Sequence, residues 1–157
     1  MKILIISDSH GHIANLKAAI EIGQKTDVRA IIHCGDWDNL EAFDAVLKYK
    51  IPIYTVLGNA DVDSDLEEAL KYESKKYDSN LLSLEIDGVK IGVIHHVNFK
   101  DERLFGFKIV FSGHYHSKEE KMVNFTKFIR PGALINGINL AIYETANNEV
   151  EFINEQI

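Results

Sequence analysis

Five short polar clusters, each closing an apolar run of strand length, constrain this chain more than any other feature. They are Asp8-Ser9-His10-Gly11, Gly35-Asp36-Trp37-Asp38-Asn39, Gly58-Asn59-Ala60-Asp61, His95-His96 and Gly113-His114-Tyr115-His116. The first three follow Lys2 to Ser7, Ala30 to Cys34 and Ile53 to Leu57, which are short, apolar and rich in β-branched residues, as buried strands are. Between them, Ile13, Leu16 and Ile20 recur at helical spacing as far as Lys25. Leu40, Phe43, Val46 and Leu47 share one face of a second helix that Asp38 or Asn39 can cap. Strands alternating with helices predict a sheet with crossover helices. Loops leaving such a sheet at its strand ends converge over a rigid edge, which is where ligand sites are built.

Beyond residue 63 the pattern changes. Ser64 to Lys75 is charged, with Leu66, Ala69 and Leu70 as a modest apolar stripe, and predicts a short surface helix. Leu82 to Ile86 alternates, Asp87-Gly88 is a hairpin signal, and Val89 to His95 continues as the partner strand. Lys108 to Phe111, Lys127 to Ile129, Leu140 to Tyr143 and Val150 to Ile153 are further strands, with a turn at Asn147-Asn148 between the last two. The charge run Lys118 to Lys121 reads as a solvated turn. No repeat or linker interrupts the sequence, so a single domain spans 1–157.

Composition bounds the chemistry. With 46% apolar and 26% charged residues the chain is globular, and its formal net charge of -7 argues against nucleic-acid binding through a broad basic surface. A phosphate-bearing substrate stays open, because bound divalent cations reverse the field locally. Cys34 is the lone cysteine, so no intrachain disulfide forms, and its apolar run marks it as a small buried hydrophobe. The opening run Met1 to Ile6 is too short for a signal peptide or a membrane span. The expected location is therefore cytoplasmic, with no membrane association; the oligomeric state is open, a homo-oligomer included.

Four histidines of the polar clusters, with three Asp or Asn side chains, make a mixed nitrogen and oxygen donor set. Such a set suits Mn, Fe, Co, Ni or Zn, whereas Ca or Mg favours oxygen alone. Asp8 and His10 are two residues apart, as are His114 and His116. If each pair leaves its strand extended, both side chains project to one side. A carboxylate such as Asp36 can bridge two metals, one through each oxygen, at the roughly 3.5–4 Å separation of two-metal hydrolases. Plainer roles compete. Asn59 can be a left-handed turn residue, Asp61 reads as the cap of the following helix, and His12 and His33 read as surface or core-edge histidines. Trp37 and Tyr115 read as wall or packing residues.

Asp-x-His-Gly, Gly-Asp, Gly-Asn-x-Asp, a strand-ending His and Gly-His-x-His, in this order, closely resemble the calcineurin-like metallophosphoesterases. The narrower likeness is to their small single-domain bacterial and archaeal phosphodiesterases. It runs from residue 1 to Gly132 and takes in Arg130-Pro131-Gly132, which is similar to the family's Asn-Pro-Gly segment. The resemblance implies an α/β fold, a four-layer α/β/β/α sandwich of two mixed β-sheets with the metal site at strand ends. It implies two divalent cations, Mn²⁺ foremost, with Ni²⁺, Co²⁺, Fe²⁺ and Zn²⁺ as the others. Asp8, His10 and His116 would hold the first, Asn59, His95 and His114 the second, and Asp36 would bridge. The implied reaction is hydrolysis of a phosphate-ester substrate by a metal-bridging hydroxide in line on phosphorus, with Asp36, Asn59 and His114 as the catalytic residues.

Two positions depart from the family pattern. Ala60 stands where many larger relatives have a histidine that aids the leaving group, and His96 stands where a glycine is usual. His96 reads first as a solvated residue, then as a distortion of the second metal site, then as a substrate-facing acid. The short interval from His95 to His114 predicts an open site without a large lid. The rival class is a protein-interaction scaffold of weak or absent activity, as in the small retromer subunit that resembles this family. The presence of all seven expected ligand types favours the enzyme.

Overall fold

Alternation along the first strand decides the architecture. In β1 (Lys2–Ile6), Ile3 and Ile5 pack to one side and Leu4 and Ile6 to the other, and all four are fully buried. A strand apolar on both faces must be covered on both. The computed structural model, which describes residues 1–155, supplies a layer of helices on one face and a second sheet on the other.

The first sheet contains β1, β2 (Ala30–His33), β3 (Ile53–Val56) and β4 (Lys76–Asp78) in parallel. β10 (Ile138–Glu144) and β11 (Glu149–Glu155) extend it antiparallel beyond β1, in the order β11-β10-β1-β2-β3-β4. Helices α1 (Ile13–Lys25), α2 (Leu40–Leu47) and α3 (Ser64–Glu73) lie on its outer face. There Leu16, Ile20, Phe43, Val46, Leu66 and Leu70 pack with Leu4 and Ile6. Burying side chains of this size yields roughly 1.5–3 kcal/mol each, so this layer and the inter-sheet layer carry most of the stabilisation.

The second sheet has five strands, in the spatial order Leu81–Ile86, Val89–Ile94, Ile109–Phe111, Thr126–Pro131 and Lys118–Val123. β5 (Leu81–Ile86) and β6 (Val89–Ile94) form the expected hairpin, with Asp87 and Gly88 at φ 51° and 76°. β7 (Ile109–Phe111) runs parallel to β6 and to β9 (Thr126–Pro131). Its inner residues Val93, Ile109, Phe111 and Ile129 meet Ile3, Ile5, Ile32 and Tyr143 between the sheets. Its outer residues Ile94, Val110 and Phe128 pack with Leu104 of a 3₁₀ helix, Glu102–Gly106, so the fourth layer is thin.

Two segments differ from expectation. Lys118 to Lys121 is no solvated turn: Lys118–Val123 is β8, an edge strand paired antiparallel with β9. Its charges hid it, and charge is what a free sheet edge needs to avoid pairing with another chain. The surface helix ends at Glu73, and Lys76–Asp78 leaves it as β4, too short for any periodicity to show. The parallel strands β1, β2, β3, β6 and β7 each deliver one of the five polar clusters from their C-terminal end.

Candidate metal centre

The site begins as a backbone arrangement. After β1 and β2 the chain segments run side by side, with Asp8 N–H donating to Gly35 O (3.0 Å), His10 N–H to Asp36 O (3.0 Å) and Gly11 N–H to Trp37 O (2.9 Å). Asp8, His10, Asp36, Asp38, His114 and His116 all have left-handed backbones, with φ between 43° and 76°. Extended exit, the premise for the two-residue spacing, is therefore corrected. Asp and His tolerate this region better than most residues, and strain of this kind gathers at functional sites. The consequence is visible: Asp8 and His10 still share one group, while His114 and His116 part company.

All seven candidate ligands converge, in two groups. In the first, donor atoms of Asp8, His10, Asp36 and His116 lie within 4.8 Å of one another. His10 Nε2 is 3.2 Å from His116 Nε2 and 3.5 Å from Asp36 Oδ2, and His116 Nε2 is 3.4 Å from Asp8 Oδ1. In the second, Asn59 Oδ1 is 2.9 Å from His95 Nε2 and 3.0 Å from His114 Nδ1, and His95 Nε2 is 3.3 Å from Asp36 Oδ2. The groups meet at Asp36 Oδ2. Asp36 Oδ2 faces both groups, while Oδ1 accepts the Ala60 N–H at 2.9 Å.

The imidazoles are aimed by their outer nitrogens. His95 Nδ1 donates to Cys34 O (2.8 Å) and His10 Nδ1 to Asp38 Oδ1 (2.9 Å), which turns both Nε2 lone pairs inward. Nitrogen and oxygen lone pairs then face one another at about 3 Å, an arrangement that repels unless positive charge sits among them. The donor set therefore fits divalent cations. In the metal-free protein burial works against an ionised Asp36, yet hydrogen bonds from a doubly protonated His95 and from the Ala60 N–H, with the imidazole charges, hold its carboxyl at about 2. Burial depresses His95 too, but its contact with Asp36 raises it overall. His114 is lowered by burial and by its neighbours His95 and His96.

Several braces were not legible as such. Asp8 Oδ2 accepts from the Ser7 hydroxyl and the His114 N–H. After Arg130-Pro131-Gly132, Leu134 N–H donates to Ser7 O and Ile135 N–H to Asp8 O. A Cβ on Gly58 would overlap the Asp36 carboxylate, and one on Gly113 the Ser7 hydroxyl, so both glycines are required by close approach. Asp61 is not the helix cap. Its Oδ2 accepts from Asp36 N–H (2.9 Å) and Gly58 N–H (2.8 Å), and Oδ1 from Asp38 N–H (2.8 Å). Asp63 caps α3 instead.

The other residues singled out fall outside the two groups. His96 is exposed, with Nε2 2.7 Å from the Tyr115 hydroxyl and its ring 4.5 Å from that of His114. His12 caps α1 through the Asn15 N–H, and Asn39 caps α2. His33 is no core-edge residue but fully buried, stacked on Trp37 at 3.6 Å. Its Nδ1 accepts the Gly35 N–H, so Nε2 carries the proton towards Ser9 Oγ; burial, then His95, keep the ring neutral. Cys34 is buried, and burial pushes its thiol up, which leaves it inert. The interval between His95 and His114 is filled by the 3₁₀ helix and β7, with no long lid.

Asp38 is the functional residue that sequence reasoning used only as a possible cap. Its place two residues after Asp36 was the available signal; the Cys34 carbonyl gave none. Asp38→Ala should weaken Mn²⁺ binding by roughly 10- to 100-fold, as loss of a ligand-orienting carboxylate does. Metal titration of the stripped protein measures this, and an unchanged affinity would contradict the role.

Known proteins resemble this chain in sequence and in shape. The calcineurin-like phosphoesterase superfamily domain matches residues 1–147. Phosphodiesterase MJ0936 of Methanocaldococcus jannaschii is 31% identical over 138 residues, covering 84% of this chain and 83% of that protein. YsnB of Bacillus subtilis is 25% identical over an alignment of 174 residues that covers 100% of this chain and 99% of the relative. A solved structure of an archaeal phosphodiesterase superposes with a TM-score of 0.86 at 29% identity, covering 99% of this chain and 100% of that one.

Proposed function

The chain belongs to the calcineurin-like phosphoesterase superfamily, and from that premise we propose that it is a phosphodiesterase whose seven candidate ligands hold two divalent cations. The observation that carries this reading is Asp36 Oδ2 lying within 3.5 Å of His10 Nε2 and 3.3 Å of His95 Nε2, at the junction of the two donor groups. Asp8, His10 and His116 would hold one cation, Asn59, His95 and His114 the other, and Asp36 would serve both. A scaffold has no need of seven inward-facing donors. Mn²⁺ is the first metal to supply, with Ni²⁺, Co²⁺, Fe²⁺ and Zn²⁺ compatible with the same nitrogen and oxygen set.

Divalent cations held by these residues would supply two things to the reaction, neutralisation of charge on the phosphoryl oxygens and activation of a water as the nucleophile. The residues of this chain set the stage for it. Asp36 stays ionised and fixed, with Oδ1 tied to Ala60 N–H. Asn59 is exposed and His114 half-buried, which places both where an incoming phosphoryl oxygen can be oriented. No side chain at position 60 can protonate the leaving group. Nitrophenyl esters should therefore be cut at least about 100-fold faster than simple alkyl phosphates, the low end of what general acid catalysis contributes. Similar rates on the two would contradict this.

Hydrolysis of bis-p-nitrophenyl phosphate tests the function itself. Metal-stripped protein should be inactive, and Mn²⁺ should restore turnover. Activity indifferent to stripping, or none with Mn²⁺ demonstrably bound, would refute it.

A further inference from the structure

Two of the exposed large apolar side chains, Phe99 (42% exposed) and Tyr115 (56% exposed), line one cavity, and Tyr115 adjoins the candidate metal centre. They flank a cavity of about 350 Å³ on the outer face of the second sheet, whose other walls are Val97, Ser112, Glu119, Phe128, Ile129 and Arg130. That volume lies near the lower end of small-molecule sites, which run about 300–1,000 Å³, and suits one ring system. The cavity and the metal centre share a wall, because Tyr115 lies between His114 and His116 and its ring is 5.0 Å from that of His114.

The walls are held, and their chemistry is specific. Phe99 meets Phe128 edge-on at 5.0 Å. The Tyr115 hydroxyl is tied to His96 Nε2 at 2.7 Å. Arg130 lies with its guanidinium 5.1 Å over the Tyr115 ring. All three of its nitrogens are committed: Nε to Ser117 O (2.7 Å), Nη2 to Ser117 Oγ (3.0 Å) and Nη1 to Glu119 (3.0 Å). Arg130 is thus held flat against the Tyr115 ring, and Glu119, paired with it, disfavours an anion. Aromatic edges and a guanidinium plane recognise a planar ring.

We propose that this cavity seats the planar ring of an ester substituent, a nucleobase or a plain aryl group, while the phosphorus lies over Asp36. The proposal rests on the phosphodiesterase reading and adds to it a substrate class, diesters that carry an aromatic ring close to phosphorus. It also gives His96 a part, as the residue that holds the Tyr115 ring in place.

Amide chemical shifts of Zn²⁺-saturated, ¹⁵N-labelled protein test it without relying on turnover. The probes are methylphosphonate, phenylphosphonate and uridine 5′-monophosphate. Ring-bearing probes should bind about tenfold more tightly than methylphosphonate, as partial burial of a ring gives, and should move the amides of Val97, Phe99 and Phe128. A response to phenylphosphonate marks an aryl site; a response to the nucleotide alone marks a nucleobase site. Phe99→Ala should abolish the preference. Phe125→Ala, which removes an exposed aromatic from the turn between β8 and β9, should keep it. Equal affinity for all three probes, or a preference that survives Phe99→Ala, would overturn the proposal. Ring-induced shifts in a protein that hydrolyses no diester would remove the phosphodiesterase reading and leave the ring site standing. Hydrolysis without ring preference would do the reverse.

Discussion

Asp36→Asn should lower kcat/KM for bis-p-nitrophenyl phosphate by at least about 1,000-fold, beyond the cost of removing a single electrostatic contact from an active site. The substitution keeps the shape of the side chain and an oxygen for the Ala60 N–H, so the fold should persist with an unchanged circular dichroism spectrum. What it removes is the charge at Oδ2, the atom facing both donor groups. Since the Asp36 carboxyl titrates at about 2, below the ordinary 3.8, it is ionised throughout the working range, and no rise in pH can compensate the variant. The sign for stability follows. In metal-free protein a depressed carboxyl contributes stability above pH 3.8 that is lost as pH falls towards 2, and the Asn variant should lack that part of the acid dependence. Retention of more than a tenth of the activity would show that Asp36 does not join the two groups.

Asp61→Ala should be among the most destabilising single changes in the chain. Three backbone N–H groups, of Asp36, Gly58 and Asp38, lose their acceptor in a region where Asp61 is only 8% exposed. Each orphaned donor costs about 1–3 kcal/mol, so the total is on the order of 3–5 kcal/mol after partial rescue by water. For a domain of this size that lowers Tm by roughly 10 °C or more. If Asp61 were merely a helix cap, the loss would be about 1 kcal/mol, the value expected instead for Asp63→Ala. Thermal unfolding of the two variants in the metal-free state separates these accounts. Equal, small shifts would rule out the bracing role.

The reach of the sequence follows from what kind of signal each feature leaves. β1, β2 and β3 are buried on both faces, so continuous β-branched runs announce them, and the polar residues that end them announce the site. The likeness of the five ordered clusters to the calcineurin-like metallophosphoesterases singled out Asp8, His10, Asp36, Asn59, His95, His114 and His116, all of which the fold brings together. Edge strands leave no such trace: Lys118–Val123 opens with four consecutive charged residues and shows no apolar alternation, and Lys76–Asp78 is three residues long. The left-handed turns at Asp8 and His114 overrode the two-residue alternation that spacing alone suggests. Asp61 gave a false local reading because the N–H groups of Asp36 and Asp38 that it serves lie 25 and 23 residues away in sequence. The carbonyl of Cys34, which aims His95, is backbone and has no residue signature at all.

The most direct test of the two-cation centre is anomalous diffraction from crystals grown with Mn²⁺, recorded above and below the manganese edge. The account predicts two peaks that share Asp36 Oδ2. One should lie within bonding distance, about 2.0–2.3 Å, of Asp8, His10 and His116, the other of Asn59, His95 and His114. A single peak, or peaks that do not touch Asp36, would contradict it.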